Sequence, residues 1–175
     1  MAGDEKLWGA CTTEEEERYR AIVRDRVDNS PYYLHMGLEV TGLGCGWATL
    51  RMPAGSHLWN VGGIVHGGAI TSIADAAAGV ALATLLDKDT ERPVTIELKI
   101  NFCSAAREGV LQARGSVVHK GGRIAVCEAD VLDGQEKLVA KGMATYMIAV
   151  IPLPGGEALA PGAQAGEISQ KSEVQ

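Results

Sequence analysis

Between Ala69 and Leu86 the chain is dominated by apolar residues, and alanine rather than leucine supplies most of them. A run of that length is close to what a bilayer-spanning helix needs. However, Asp75 lies inside it, together with Thr71, Ser72 and Thr84, and an unpaired central carboxylate is expensive in lipid. The segment therefore reads as a buried helix of a soluble protein, spanning about Gly67 to Leu86. A helix that is apolar on most sides has to be covered on most sides. One curved antiparallel sheet wrapped around it would do that, and would leave an edge strand open to pairing with a second copy.

The remaining sequence supplies such a sheet. Val94 to Phe102 alternates, with Val94, Ile96, Leu98, Ile100 and Phe102 on one face and Thr95, Glu97, Lys99 and Asn101 on the other, the pattern of a half-buried strand. Val110 to His119, Arg123 to Leu132 and Lys137 to Ile148 follow, separated by Gly121-Gly122 and the Asp133-Gly134 turn, which predicts an antiparallel meander. Upstream of the helix, Leu38 to Leu43 and Trp47 to Met52 read as two short strands around the turn Gly44-Cys45-Gly46. Pro53 to Gly63 reads as loop.

Before these strands, Thr13 and Glu16 fit a capping box, and Tyr19, Ile22, Val23 and Val27 form an apolar stripe. They predict a helix over about 13 to 28, stopped by Asn29-Ser30-Pro31. The organisation expected is an N-terminal helical segment over 1–30, a single domain over 31–151 and a tail over 152–175. The composition of Gly155 to Gln175 predicts disorder in that tail.

Charge and cysteine usage narrow the partners. A formal net charge of −6 argues against a general nucleic-acid binder, whose phosphate contacts reward clustered Lys and Arg. Met1 to Cys11 lacks the apolar stretch of a signal peptide. Cys11, Cys45, Cys103 and Cys127 form no C-x-x-C pair, so free thiols in a reducing cytoplasm are expected. The histidines are equally scattered, and no zinc site is expected.

The segment Asn60-Val61-Gly62-Gly63-Ile64-Val65-His66-Gly67-Gly68, followed by Asp75, carries the chemistry. Glycines at a helix start allow close approach to the backbone, and free N–H groups there stabilise developing negative charge. Gly67 and Gly68 are thus placed to polarise a carbonyl, although a plain glycine-rich turn has the same spacing. Asp75 has small helical neighbours, Thr71, Ser72, Ala78 and Gly79, and no Lys or Arg within a turn. A carboxylate there either serves a ligand or is satisfied by a hydroxyl or by solvent. Asn60 could orient a water or a substrate, or simply shape the loop. Lys120-Gly121-Gly122-Arg123 is a small basic turn that could meet a phosphate, or be solvated. No serine-hydrolase elbow, phosphate-binding loop or dinucleotide fingerprint is found.

Asn60, His66-Gly67-Gly68 and Asp75 in an Ala-rich helix together resemble the signature of the PaaI-like hot-dog-fold acyl-CoA thioesterases. Similar strands continue through Val94 to Phe102 and Leu138 to Tyr146, so that the resemblance covers Pro31 to Ile148. It implies an α+β hot-dog fold, an antiparallel sheet wrapped around one long central helix. It implies a thioesterase that needs no cofactor and no metal, acting on acyl-CoA as a homodimer or a dimer-of-dimers homotetramer with sites shared between subunits, and partnered with neither nucleic acid nor membrane. By the same resemblance Gly67 polarises the thioester carbonyl with its N–H, and Asn60 and His66 position substrate or nucleophile. Asp75 of the facing subunit is general base or nucleophile. Gly68 and Thr95 would contact substrate, Thr95 at a position where relatives often carry a hydroxyl near the carboxylate. Lys120, Gly121, Gly122 and Arg123 would approach the nucleotide part of CoA. The alternatives are a non-catalytic acyl-CoA-binding sensor, an enoyl-CoA hydratase, for which the His66 to Asp75 spacing is unsuited, and a purely structural domain.

Overall fold

The computed structural model describes residues 7–9 and 11–150; the expected tail and most of the segment before Cys11 lie outside the described residues. Helix α1 (Thr13–Ile22) continues through the wider turns of Val23–Asp28 and is followed by a short α2 (Pro31–Met36). Strands β1 (Glu39–Gly44) and β2 (Trp47–Ala54) precede the long α3 (Gly67–Ala83). Then come β3 (Glu91–Phe102), β4 (Gly109–Lys120), β5 (Ile124–Leu132) and β6 (Leu138–Val150). The strands form one antiparallel sheet in the order β1-β2-β4-β5-β6-β3. Helix α3 packs against β2, β3, β4, β5 and β6, the wrapped-helix arrangement expected. No described helix is long and apolar enough to cross a membrane.

The capping box of α1 forms one residue earlier than the expected frame. Thr12 is the N-cap, its hydroxyl accepting from Glu15 N, while the Glu15 carboxylate accepts from Thr12 N. Both frames satisfy the spacing rule; the earlier one gives the helix another residue. The wide turn after Ile22 has a packing consequence. In an α-helix Ile22 and Val27 would point about 140° apart; the wide turn lets both be buried, with Tyr19, in the core. The α2 helix was not expected. Ser30 caps it, Pro31 opens it, and Gly37 ends it at φ +65°.

Alanines on α3 let the sheet come close. Ala74, Ala76, Ala77, Ala78 and Ala81 are buried, and β4 approaches so closely that a Cβ on Gly115 would overlap the backbone of Ala77 and Ala78. The helix ends at Ala83 rather than Leu86 because its last residues tighten. Thr84 N, Leu85 N and Leu86 N bond three residues back, to Ala81, Leu82 and Ala83. The buried Thr84 hydroxyl is satisfied at both ends, donating to Ala81 O at 2.7 Å and accepting from Gly46 N at 2.8 Å.

Strand β3 departs from simple alternation. Thr95 pairs with Tyr146, but Glu97 pairs with Thr145, so Ile96 is an unpaired bulge residue. A bulge advances the side-chain phase by one. Leu98 and Ile100 pack against the core as expected. Thr95, on the far side of the bulge, points toward α3 and not onto the polar face where uninterrupted alternation puts it.

Candidate active site

Asp75 sits in the third turn of α3, half-buried among alanines. Its Oδ1 accepts two hydrogen bonds, from Thr95 Oγ1 at 2.9 Å and from the Tyr146 hydroxyl at 2.8 Å. The same Tyr146 hydroxyl lies 2.9 Å from the Asp75 carbonyl oxygen. Oδ2 accepts no hydrogen bond from the described residues. One oxygen is therefore anchored and the other left for a ligand. The carboxylate borders a cleft of about 380 Å³ whose walls include Arg26, Tyr33, Val80, Thr95 and Tyr146. Burial, and secondarily the charge of Asp75, pushes the Tyr33 phenol up to about 12 and the Tyr146 phenol further still. Both remain neutral hydrogen-bond donors in ordinary conditions.

The glycine-rich segment builds a second cleft, of about 420 Å³, bordered by Asn60, Ile64, Gly67, Ile70, Phe102 and Ser104. Asn60 Oδ1 accepts from Gly62 N at 2.8 Å, and its backbone brackets the turn to Ile64. The side chain thus shapes the loop and keeps its NH₂ group for the cleft. Gly63 adopts φ +70°, which suits glycine. His66 is the N-cap of α3, its Nδ1 accepting from Gly68 N at 2.9 Å. In that bond Nδ1 is the acceptor, which leaves Nε2 as the ring nitrogen free to donate. Gly68 is required for it, since a Cβ there would come within 2.9 Å of Nδ1. With Gly68 N so occupied, Gly67 N, in the first helical turn and without an intrahelical acceptor, is the donor left at the helix start. The Phe102 ring crowds it closely, 3.1 Å from where a Gly67 Cβ would be.

Within one chain the two clefts are distinct. Asp75 lies eight positions after Gly67, roughly 12 Å along the helix axis, too far for both to meet one carbonyl. Lys120, Gly121, Gly122 and Arg123 form the exposed β4–β5 turn, closed by Gly121 N bonding Ile124 O, and border neither cleft. Tyr146, Tyr33 and Arg26 were not singled out from sequence. Tyr146 had a detectable signal, a hydroxyl at an inward position among the small residues Ala140, Gly142 and Ala144. Among the described residues, no three His, Cys, Asp or Glu side chains gather as they would to hold a metal ion.

A wrapped central helix with a carboxylate held on its flank is the hot-dog arrangement, and comparison with known proteins agrees. A profile of the thioesterase superfamily matches residues 62–140. A provisionally named esterase of Saccharolobus solfataricus is 32% identical over 126 residues, covering 72% of this chain and 83% of that protein. The solved structure of the conserved protein PA5202 from Pseudomonas aeruginosa is 40% identical, with a TM-score of 0.65 over 68% of this chain and 94% of that one. Escherichia coli PaaI, at 21% identity and a TM-score of 0.69 over 77% of this chain and 97% of its own, shares the fold. The chain belongs to the thioesterase superfamily, and with it to the hydrolases of the thioester kind.

Proposed function

We propose that the protein hydrolyses an acyl-CoA thioester to the free acid and CoA, with Asp75 as its catalytic carboxylate. One observation carries this reading: Asp75 lines a cleft with its Oδ1 gripped by two hydroxyls and its Oδ2 without a partner among the described residues. A carboxylate held in this way is positioned to take a proton from water. The thioester carbonyl receives the Gly67 N–H at the helix start, where the peptide dipoles also favour negative charge. Asp75 removes a proton from the water, the resulting hydroxide adds to the carbonyl carbon, and the C–S bond breaks. The leaving thiolate is stable enough to need little acid assistance.

Because Gly67 and Asp75 of one chain lie roughly 12 Å apart along α3, the reading needs two copies. The Asn60 and Gly67 cleft of one subunit would meet the Asp75 cleft of its partner across the open edge of β3. That edge exposes Ile96 and Phe102, and an unpaired apolar edge is a ready pairing surface. The Asn60 amide would then hold the substrate or the water beside Gly67. His66 would act one step back, by fixing the turn that presents Gly67 N–H. The Lys120 to Arg123 turn would meet CoA only from a neighbouring subunit or along an extended nucleotide.

A panel of acyl-CoAs, followed with a thiol-detecting reagent and no added metal, tests this. Release of CoA from at least one of them is expected. Tight binding of acyl-CoA with no turnover across the panel would instead identify a sensor.

A further inference from the structure

Arg26 lies in the wide helical turn Val23–Asp28 and is half-buried in the wall of the Asp75 cleft. Among the described residues no carboxylate lies within ion-pair distance of it and its guanidinium makes no hydrogen bond. The adjacent Asp25 is committed to Arg24, through bonds of 2.6 and 2.9 Å. Arg26 also borders a cavity of about 420 Å³ whose walls carry Arg92 together with Asp87, Asp89 and Glu91. Among the described residues the Arg92 guanidinium donates to two backbone carbonyls, of Lys88 at 2.7 Å and Glu91 at 2.8 Å. Burial first, and the Arg92 charge second, lower the affinity of Arg26 for its proton. Asp25 steadies the Arg26 charge from a distance but is spent on Arg24, and a half-buried cation without an ion-pair partner among the described residues gains from an anion brought to it. A ligand can bring that anion, and the planar guanidinium fork matches a carboxylate with two parallel bonds.

The cleft holds groups of both charges and an apolar wall. The Tyr33 phenol lines the cleft together with Asp75, Asp25 and Arg26, and Val80 and Pro93 add apolar wall. We propose that the acyl group of the substrate enters this cleft with its thioester carbonyl at Asp75 and carries at its far end a carboxylate that Arg26 receives. This rests on the thioesterase reading given above and narrows its substrate to short dicarboxylic acyl or carboxylated aryl thioesters. A volume of about 380 Å³ suits such small groups.

The test compares thioesters that differ only at the far end, glutaryl-CoA with valeryl-CoA and 4-carboxybenzoyl-CoA with benzoyl-CoA. In at least one pair the carboxylated member should have the higher kcat/KM, by roughly tenfold or more, the scale of a charged hydrogen bond. Arg26→Gln should shrink that ratio by a similar factor, and Arg26→Lys should retain part of it. The ratio is internal to each variant, so partial unfolding does not imitate the result. Ratios near one in the wild-type protein overturn the proposal. Equal losses for both members also overturn it, because they assign Arg26 to the phosphates common to every CoA ester. Calorimetric titration with glutarate separates the proposal from the reading beneath it. Arg26-dependent glutarate binding without turnover of any thioester keeps the anion subsite and removes the thioesterase reading. Turnover without Arg26-dependent preference or binding does the reverse.

Discussion

Thr95 and Tyr146 are cross-strand partners on β3 and β6, and their hydroxyls converge on a single atom, Oδ1 of Asp75. Neighbouring strands thus hold the helix carboxylate from two directions. Removing either hydroxyl, by Thr95→Val or Tyr146→Phe, should lower kcat roughly tenfold while KM changes little, since a lost hydrogen bond to a charged group is worth about 1.5–3 kcal/mol. The double variant should lose less than the product of the two, because both bonds serve one oxygen. Steady-state kinetics beside melting curves check this; a fall in Tm that accounts for the lost activity would make the pair structural only.

Asp75→Asn keeps the shape of the side chain and removes its basicity. It should reduce kcat by about a hundredfold or more, the usual contribution of a positioned acid or base, with a smaller change in substrate affinity. Near-normal turnover by a folded Asp75→Asn protein would take Asp75 out of the chemistry.

The sharing of the site is tested by mixing. Protein inactivated at Asp75 and protein inactivated at Asn60 are combined under conditions that exchange subunits. In a mixed dimer one site collects both lesions and the other neither, so activity should return to about half per mixed dimer, as two-fold symmetry requires. If exchange is demonstrated and no activity returns, both residues of a site come from the same chain.

Alkaline pH should destabilise the fold through the tyrosines of the Asp75 cleft. An unfolded tyrosine titrates near 10, while burial holds Tyr33 protonated up to about 12 and Tyr146 beyond it. Between those pH values the folded chain keeps protons that the unfolded chain has lost, so the free energy of unfolding falls as pH rises. The contribution is fully present below about pH 10. Melting temperatures followed from pH 8 to 12 should decline above about pH 10, less steeply for Tyr33→Phe. An identical slope in that variant would show that Tyr33 titrates normally.

Gly115→Ala should be among the most destabilising single-methyl additions in the protein. The new Cβ meets the backbone of Ala77 and Ala78, not a side chain that could turn away. A cost of about 2 kcal/mol or more is expected, lowering Tm by roughly 5 °C or more. Addition of the same methyl at Gly134, where nothing lies within 4 Å, is the control.

Much of this architecture was legible in the chain. The Ala-rich run containing Asp75 implied a wrapped helix, and the turns at Gly121 and Asp133 implied the meander of β4, β5 and β6. The glycine-rich approach to α3 pointed to Asn60, His66 and Gly67. The face of Thr95 was not legible, because alternation fixes a face only while the register holds, and Ile96 interrupts it. Tyr146 and Arg26 were missed for a related reason. Tyr146 meets Asp75 across 71 positions of sequence, and Arg26 borders the cleft from a helix whose period widens after Ile22. The small residues around Tyr146 mark its inward position, but no local pattern encodes its meeting with Asp75 or that of Arg26 with the cleft. The capping frame at Thr12 slipped because two overlapping matches differ by only one residue.

At Gly115 the spacing between sheet and central helix is set by peptide against peptide. Side chains elsewhere in the interior can then be exchanged over generations without moving the central helix, and the carboxylate it carries, relative to β4. A lineage built in this way is free to diverge in its packing while the geometry of its chemistry stays in place.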